Sequence, residues 1–140
     1  MTTTETTIQF SDTRDIDKDV LLALYKANNW SSSEKPEQLY QGLMNSHSLI
    51  SAWDEEKLVG LGNAISDGFL VVYYPHLLVL PEYQRQGIGS TILELLVSRY
   101  PGFHQHVLLA DRKAFGFYKK CGFERAGNAE PMWIYAGNDF

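Results

Sequence analysis

Apolar positions change their spacing several times along the chain, and each change marks a new element. Ile8 to Ser11 is short and β-compatible. Asp12 or Thr13 can cap the helix that follows, where Ile16, Val20, Ala23, Leu24 and Ala27 fall on one face at helical spacing. Asn28, Asn29, Trp30 and the three serines after them read as a loop. A second helix opens near Pro36, a residue tolerated in a first turn, and buries Leu39, Leu43 and Met44.

The spacing then becomes that of strands. Ser48 to Trp53 and Lys57 to Ser66 flank Asp54-Glu55-Glu56, which reads as a hairpin turn. Asp67-Gly68 is a stronger hairpin signal and leads into Phe69 to Tyr74. Pro75 interrupts that run, which predicts a kink or bulge before the apolar strand His76 to Leu80. After Gly87 the period is helical again, with Ile88, Ile92, Leu95 and Leu96 on one face. Pro101-Gly102 ends that helix. His106 to Ala110 reads as a strand and Ala114 to Lys120 as a short helix capped by Gly122, with Phe123 packing back. Met132 to Tyr135 reads as a last strand. The order predicts an α/β fold, a mixed and mostly antiparallel sheet flanked by helices.

Composition narrows the class. A chain of 140 residues has room for one domain, expected over residues 8–140 behind a flexible tail at residues 1–7. Twelve Lys and Arg stand against 17 Asp and Glu, a net charge of −5, which weighs against a nucleic-acid binder. No apolar run approaches the roughly 20 residues of a membrane helix. Cys121 is the only cysteine, which excludes a disulfide framework. No histidine pair has the spacing of a helical metal site, so no metal is expected. The Thr-rich start lacks the basic-then-apolar pattern of a leader, which points to the cytoplasm.

The chemistry lies in Leu77-Leu78-Val79-Leu80-Pro81-Glu82-Tyr83-Gln84-Arg85-Gln86-Gly87-Ile88-Gly89-Ser90. A strand enters a polar loop, and the loop opens a helix with two glycines at its first turn. The first amides of a helix lack internal partners and carry the positive end of its dipole, so such a turn can cradle a phosphate or pyrophosphate. The segment is not a P-loop, because Gly89 is followed by Ser90 and Thr91 and no lysine. It is not the dinucleotide fingerprint either, because Ile92 stands where a third glycine belongs. Taken alone, the two glycines also fit a tight strand-to-helix turn without a ligand.

Gln84-x-x-Gly87-x-Gly89 after Val79-Leu80-Pro81, with Phe117-Tyr118-x-x-x-Gly122-Phe123 about thirty residues on, closely resembles the GNAT (GCN5-related N-acetyltransferase) superfamily. The resemblance covers nearly the whole chain and is nearest to small single-domain amine acetyltransferases. It implies acetyl-CoA as co-substrate. The amides of Arg85, Gln86, Gly87, Ile88, Gly89 and Ser90 would hold the CoA pyrophosphate, with the Gln84 side chain assisting. Leu78, Val79 and Leu80 would pair with the pantetheine arm as if with an added strand. Asp111 stands where relatives often have an asparagine that contacts that arm.

The implied reaction is direct acetyl transfer to the primary amine of a small molecule, without an acyl-enzyme. Tyr118 would protonate the departing thiolate, and a backbone N–H near Val79 would stabilise the oxyanion. His76, where relatives often carry an acidic residue, is the candidate for taking the amine's proton; a packed, hydrogen-bonded histidine is the alternative. Trp30, Tyr73 and Tyr74 are candidate walls for the acceptor. Acetylation of a protein lysine or N-terminus, or a non-catalytic acyl-CoA sensor, are the other readings. The sequence leaves association as a homodimer open.

Overall fold

The computed structural model describes residues 7–139, so the tail expected at residues 1–7 lies, but for Thr7, outside the described residues. In chain order the elements are β1 (Ile8–Ser11), α1 (Lys18–Ala27), a 3-10 turn (Ser31–Glu34), α2 (Pro36–Met44), β2 (Ser48–Asp54) and β3 (Lys57–Ser66). Then come β4 (Val71–Tyr73), β5 (Leu77–Val79), a 3-10 turn (Pro81–Tyr83), α3 (Ile88–Val97), β6 (Gln105–Val107), a 3-10 turn (Arg112–Ala114) and α4 (Phe115–Lys120). The sheet runs β1-β2-β3-β4-β6, with β5 also on β3. Among the described residues only β4 and β6 run parallel. This is the mixed, mostly antiparallel sheet that the apolar pattern predicts. No described helix is long and apolar enough to cross a membrane.

Two features of β3 position the site. Both β4 and β5 pair with the same edge of it: Ile65 and Ser66 face Tyr73 and Val72, while Gly60 and Gly62 face Val79 and Leu77. Between the two stretches the ladder breaks at Pro75, as expected. Asn63 bridges the break: its N–H donates to the His76 carbonyl (3.1 Å) and its side-chain oxygen accepts the His76 N–H (3.0 Å). The second feature is close approach. A Cβ on Gly62 would lie 2.7 Å from Ile92 Cγ2 and 3.0 Å from Leu96 Cδ1. Glycine there lets α3 settle on the sheet.

β6 stays with β4 up to the bond from the Tyr74 N–H to the Val107 carbonyl (3.0 Å). Beyond it β5 pairs with β3 alone, and residues 108–110 belong to no strand. Two neighbouring segments thus part, leaving a notch whose one wall is the free edge of β5.

Four expectations need correction. The first helix is not opened by Asp12 or Thr13. Ser11 and Thr13 hydroxyls accept the N–H groups of Thr13 and Asp15, holding that stretch in turns, and Asp17 caps the helix by accepting the Asp19 N–H (2.8 Å). The later start shifts the phase, so Leu21, Leu22, Leu24 and Tyr25 are buried while Val20, Ala23 and Ala27 face outward. On α3, Leu93 replaces Leu95 in the core. The strand expected at residues 106–110 ends at Val107, because its partner β4 ends there. Met132 to Tyr135 form no strand. Met132 and Ile134 lie exposed, and Trp133 stacks on Tyr135 (4.3 Å between centroids) instead of joining the sheet.

Candidate active site

The notch wall is defined by strand alternation. The Leu80 N–H donates to the Val59 carbonyl (2.8 Å), and His76 pairs with Asn63. His76, Leu78 and Leu80 therefore spend their main-chain groups on β3, and Leu77 and Val79 direct theirs to the notch. This corrects the sequence reading: of Leu78, Val79 and Leu80, only Val79 has its backbone turned outward, and Leu78 and Leu80 are core residues. The Val79 carbonyl is already met by Gln84 Nε2 (3.1 Å). Its N–H faces the notch, away from β3.

The cradle follows at once. After the Pro81–Tyr83 turn, Gln84 is extended, and Arg85 and Gly87 have φ of +66° and +84°. Left-handed residues alternating with ordinary ones curl successive N–H groups toward one concave side. A non-glycine residue there is uncommon, and Arg85 adds a cationic side chain. No side chain caps α3. The Ser90 and Thr91 hydroxyls both donate to the Gly87 carbonyl (3.0 Å each), which leaves the first amides of the helix without side-chain partners. These residues fit a pyrophosphate. The Gln84 side chain does not point there as expected: it braces Val79 and reaches Asn28 Oδ1 (3.4 Å).

Helix α4 closes the other side. A Cβ on Gly89 would lie 3.5 Å from Phe117 Cζ and 3.7 Å from Val79 Cγ2, so strand edge, cradle and α4 converge there. Tyr118 packs beside Phe117 (5.1 Å) and Phe123 (6.3 Å). Burial, and secondarily Cys121, raise its phenol pKa, so it stays protonated at neutral pH. Among the described residues its hydroxyl takes no hydrogen bond. The Asp111 carboxylate accepts the Lys113 N–H (3.0 Å) and caps the 3-10 turn leading into α4. Burial raises the Cys121 thiol pKa, which suits an unreactive thiol.

His76 and Trp30 lie on the opposite face of the sheet from α3. His76 Nδ1 is 2.7 Å from the Tyr25 hydroxyl of α1, and Trp30 meets the imidazole edge-on at 5.1 Å. Burial lowers the His76 pKa to about 4, with the charge of Asp139 working against it. Of the three expected walls, Trp30 adjoins His76 and Tyr73 lies half-buried on β4. Tyr74 is not a wall. The pleat sends it to the α3 face, where it is buried against Tyr100 and Phe123 and bonded to His106 (2.8 Å). Sequence reading missed Tyr25 and Asn63. Tyr25 looks like one more apolar helix position, whereas a polar Asn63 inside an apolar strand run was a usable signal. Among the described residues, no three His, Cys, Asp or Glu side chains are grouped to hold a metal.

Over residues 14–131 the chain matches the acetyltransferase (GNAT) domain family. A GNAT-family acetyltransferase of Streptococcus pneumoniae shares its fold at a TM-score of 0.80 and is 32% identical, covering 93% of this chain and 99% of that one. The peptidyl-lysine N-acetyltransferase YjaB of Salmonella typhimurium is 35% identical over 66 residues, 45% of this chain and 46% of that protein. The chloroplastic GCN5-related N-acetyltransferase 2 of Arabidopsis thaliana is 38% identical over 72 residues, 50% of this chain and 28% of that protein. The match therefore spans less than half the length of these last two relatives. The signature residues sit on the cradle, and the fold is shared along nearly the whole chain: it belongs to the GNAT acetyltransferase family.

Proposed function

We propose that the protein is an acetyl-CoA-dependent N-acetyltransferase whose acceptor is the primary amine of a small molecule. The observation that carries this reading is the junction of the notch and the cradle. The outward N–H of Val79 and the uncapped amides of α3 are joined by one short turn, which Gln84 braces. Leu77 and Val79 would hold the pantetheine arm, and the amides from Arg85 to Ser90, with the Arg85 side chain, the pyrophosphate. Bound there, acetyl-CoA supplies an activated acetyl thioester.

The chain's own groups then have separate tasks. The Val79 N–H can donate to the carbonyl oxygen as negative charge builds on it, an interaction that strengthens toward the transition state. Tyr118, protonated and without a competing partner, can give a proton to the departing sulfur. The space beside His76, about 210 Å³, is large enough for the alkyl chain of a small amine.

A panel of amines and lysine peptides, with release of free CoA thiol as the readout, tests the reading. Turnover of small amines well above that of peptides is expected. Preferred turnover of peptides would move the assignment to protein acetylation. Acetyl-CoA binding without thiol release on any acceptor would make the protein a sensor.

A further inference from the structure

The Tyr25 hydroxyl is fully buried, and among the described residues its only hydrogen-bond partner is His76 Nδ1. A buried phenol must place its proton somewhere. If Nδ1 carried the hydrogen, the bond would run from the imidazole to the phenol oxygen, and the phenolic proton would have no acceptor. The satisfied arrangement has Tyr25 donating to Nδ1. A neutral imidazole that accepts at Nδ1 carries its hydrogen on Nε2. The His76 main chain is fixed on both sides by Asn63, and Trp30 packs against the ring, so the ring cannot easily turn over.

His76 also lines the cavity of about 210 Å³. It is also lined by Gln38, Leu39, Gly42 and Leu43 of α2 and by Ser32 and Lys35. Ser32 Oγ is buried and has no hydrogen-bond partner among the described residues, an unmet polar atom at the wall of this space. Lys35 makes no ion pair among the described residues. The charged group that His76 senses is Asp139, whose carboxylate accepts the N–H and hydroxyl of Ser31 (2.9 and 3.0 Å). The residues lining the cavity thus carry an imidazole, a hydroxyl, an amide and an ammonium beside the apolar Leu39 and Leu43.

We propose that Tyr25 fixes His76 as the Nε2–H tautomer, and that His76 so fixed selects acceptor amines bearing a neighbouring carbonyl or carboxylate oxygen, seated in this cavity. The proposal rests on the acetyltransferase reading only for the word acceptor. It replaces the expectation that His76 takes the amine's proton, since Nε2–H has no lone pair to receive one. The amine then reacts as its free base, after losing a proton to solvent. Tyr25 is a positioning residue, acting through His76.

The tautomer is read directly by long-range 1H–15N NMR on protein with 15N-labelled histidine, His76 being assigned by its loss in His76→Gln. The Nε2–H pattern is expected from pH 6 to 8, becoming a mixture in Tyr25→Phe. An Nδ1–H pattern in the parent protein overturns the proposal. The cavity is tested by titrating N-acetylglycinamide, which should shift the His76 resonances. Gly42→Phe should abolish that shift; a Cβ at Gly42 meets no atom within 4 Å, and unchanged amide resonances away from the cavity check that the variant keeps its fold. No shift in the parent protein overturns the proposal whether or not acetyl transfer is seen.

Kinetics supply the third arm, with propylamine, glycinamide and glycine compared per free base. The oxygen-bearing amines should lead by at least tenfold in kcat/KM, and the lead should fall to within threefold in His76→Phe. An unchanged lead overturns the specificity role. Loss for glycine alone in Lys35→Gln marks a carboxylate; equal rates for glycine and glycinamide in that variant mark a carbonyl. Shifted resonances with no thiol release from any amine would sink the acetyltransferase reading and leave the cavity assignment standing.

Discussion

The side-chain amide of Gln84 donates to the main-chain carbonyl of Val79 at 3.1 Å, tying the residue that opens the cradle to the strand edge that lines the notch. Binding arm and binding cradle are therefore held at one spacing. Gln84→Ala leaves that carbonyl to solvent and slackens the turn. One hydrogen bond is worth about 1 kcal/mol, so a loss of that size in stability is expected. KM for acetyl-CoA should rise by roughly 2- to 10-fold with kcat nearly kept, since ground and transition states use the brace alike. Steady-state kinetics and a urea melt check both. A fall in kcat alone would deny the brace.

The two glycines of the turn should answer differently to substitution. Gly87 has φ of +84°, and an alanine there would be strained by about 1–2 kcal/mol. Gly89 has room for a methyl group in ordinary contact with Phe117, so Gly89→Ala should fold normally. Gly89→Glu brings a carboxylate to the uncapped helix end. Acetyl-CoA affinity should fall at least tenfold, about 1.4 kcal/mol, by calorimetry. A folded Gly89→Glu protein with unchanged affinity would remove the cradle.

Acid should weaken the fold through His76. Its pKa is held at about 4, below the ordinary 6.5. Between those values the unfolded chain binds a proton that the folded chain refuses, so stability is whole above about pH 6.5 and is lost as pH falls toward 4. The full loss is up to about 3 kcal/mol. His76→Gln has no such proton to bind, so its Tm should fall less between pH 7 and 4.5. Parallel curves for the two proteins would show that His76 is not held neutral.

The strands up to Val79, the turn at Asp67-Gly68 and the break at Pro75 were legible because each is a local matter of spacing and turn chemistry. The left-handed turn and uncapped helix start at residues 85–90 were legible for the same reason: they form one continuous segment. What failed was phase and partnership. Asp12, Thr13 and Asp17 offer the same capping chemistry, and only the surrounding hydrogen bonds decide among them. Met132 to Tyr135 has the composition of a strand but no sheet edge takes it. The pairing of Tyr25 with His76 joins residues 51 positions apart, and nothing local in either residue announces it.

Tyr118 carries the last prediction. Tyr118→Phe keeps the ring that packs on Phe117 and Phe123. Its hydroxyl has no protein partner among the described residues, so stability should change by less than about 1 kcal/mol. Acetyl-CoA affinity should be kept. In the proposed role only the proton donor to the sulfur is lost, and that interaction grows as charge builds on the leaving group, so the deficit belongs in kcat and not in KM. A fall of roughly 10² to 10⁴-fold is the range for a positioned acid. Acyl donors whose thiols are more acidic need less help to depart, and with them the deficit should shrink. A raised phenol pKa also means that the alkaline limb of the rate profile, where this acid loses its proton, should stand above the ordinary tyrosine value near 10. Parent-like kcat in the phenylalanine variant would make Tyr118 a packing residue and pass the protonation to water.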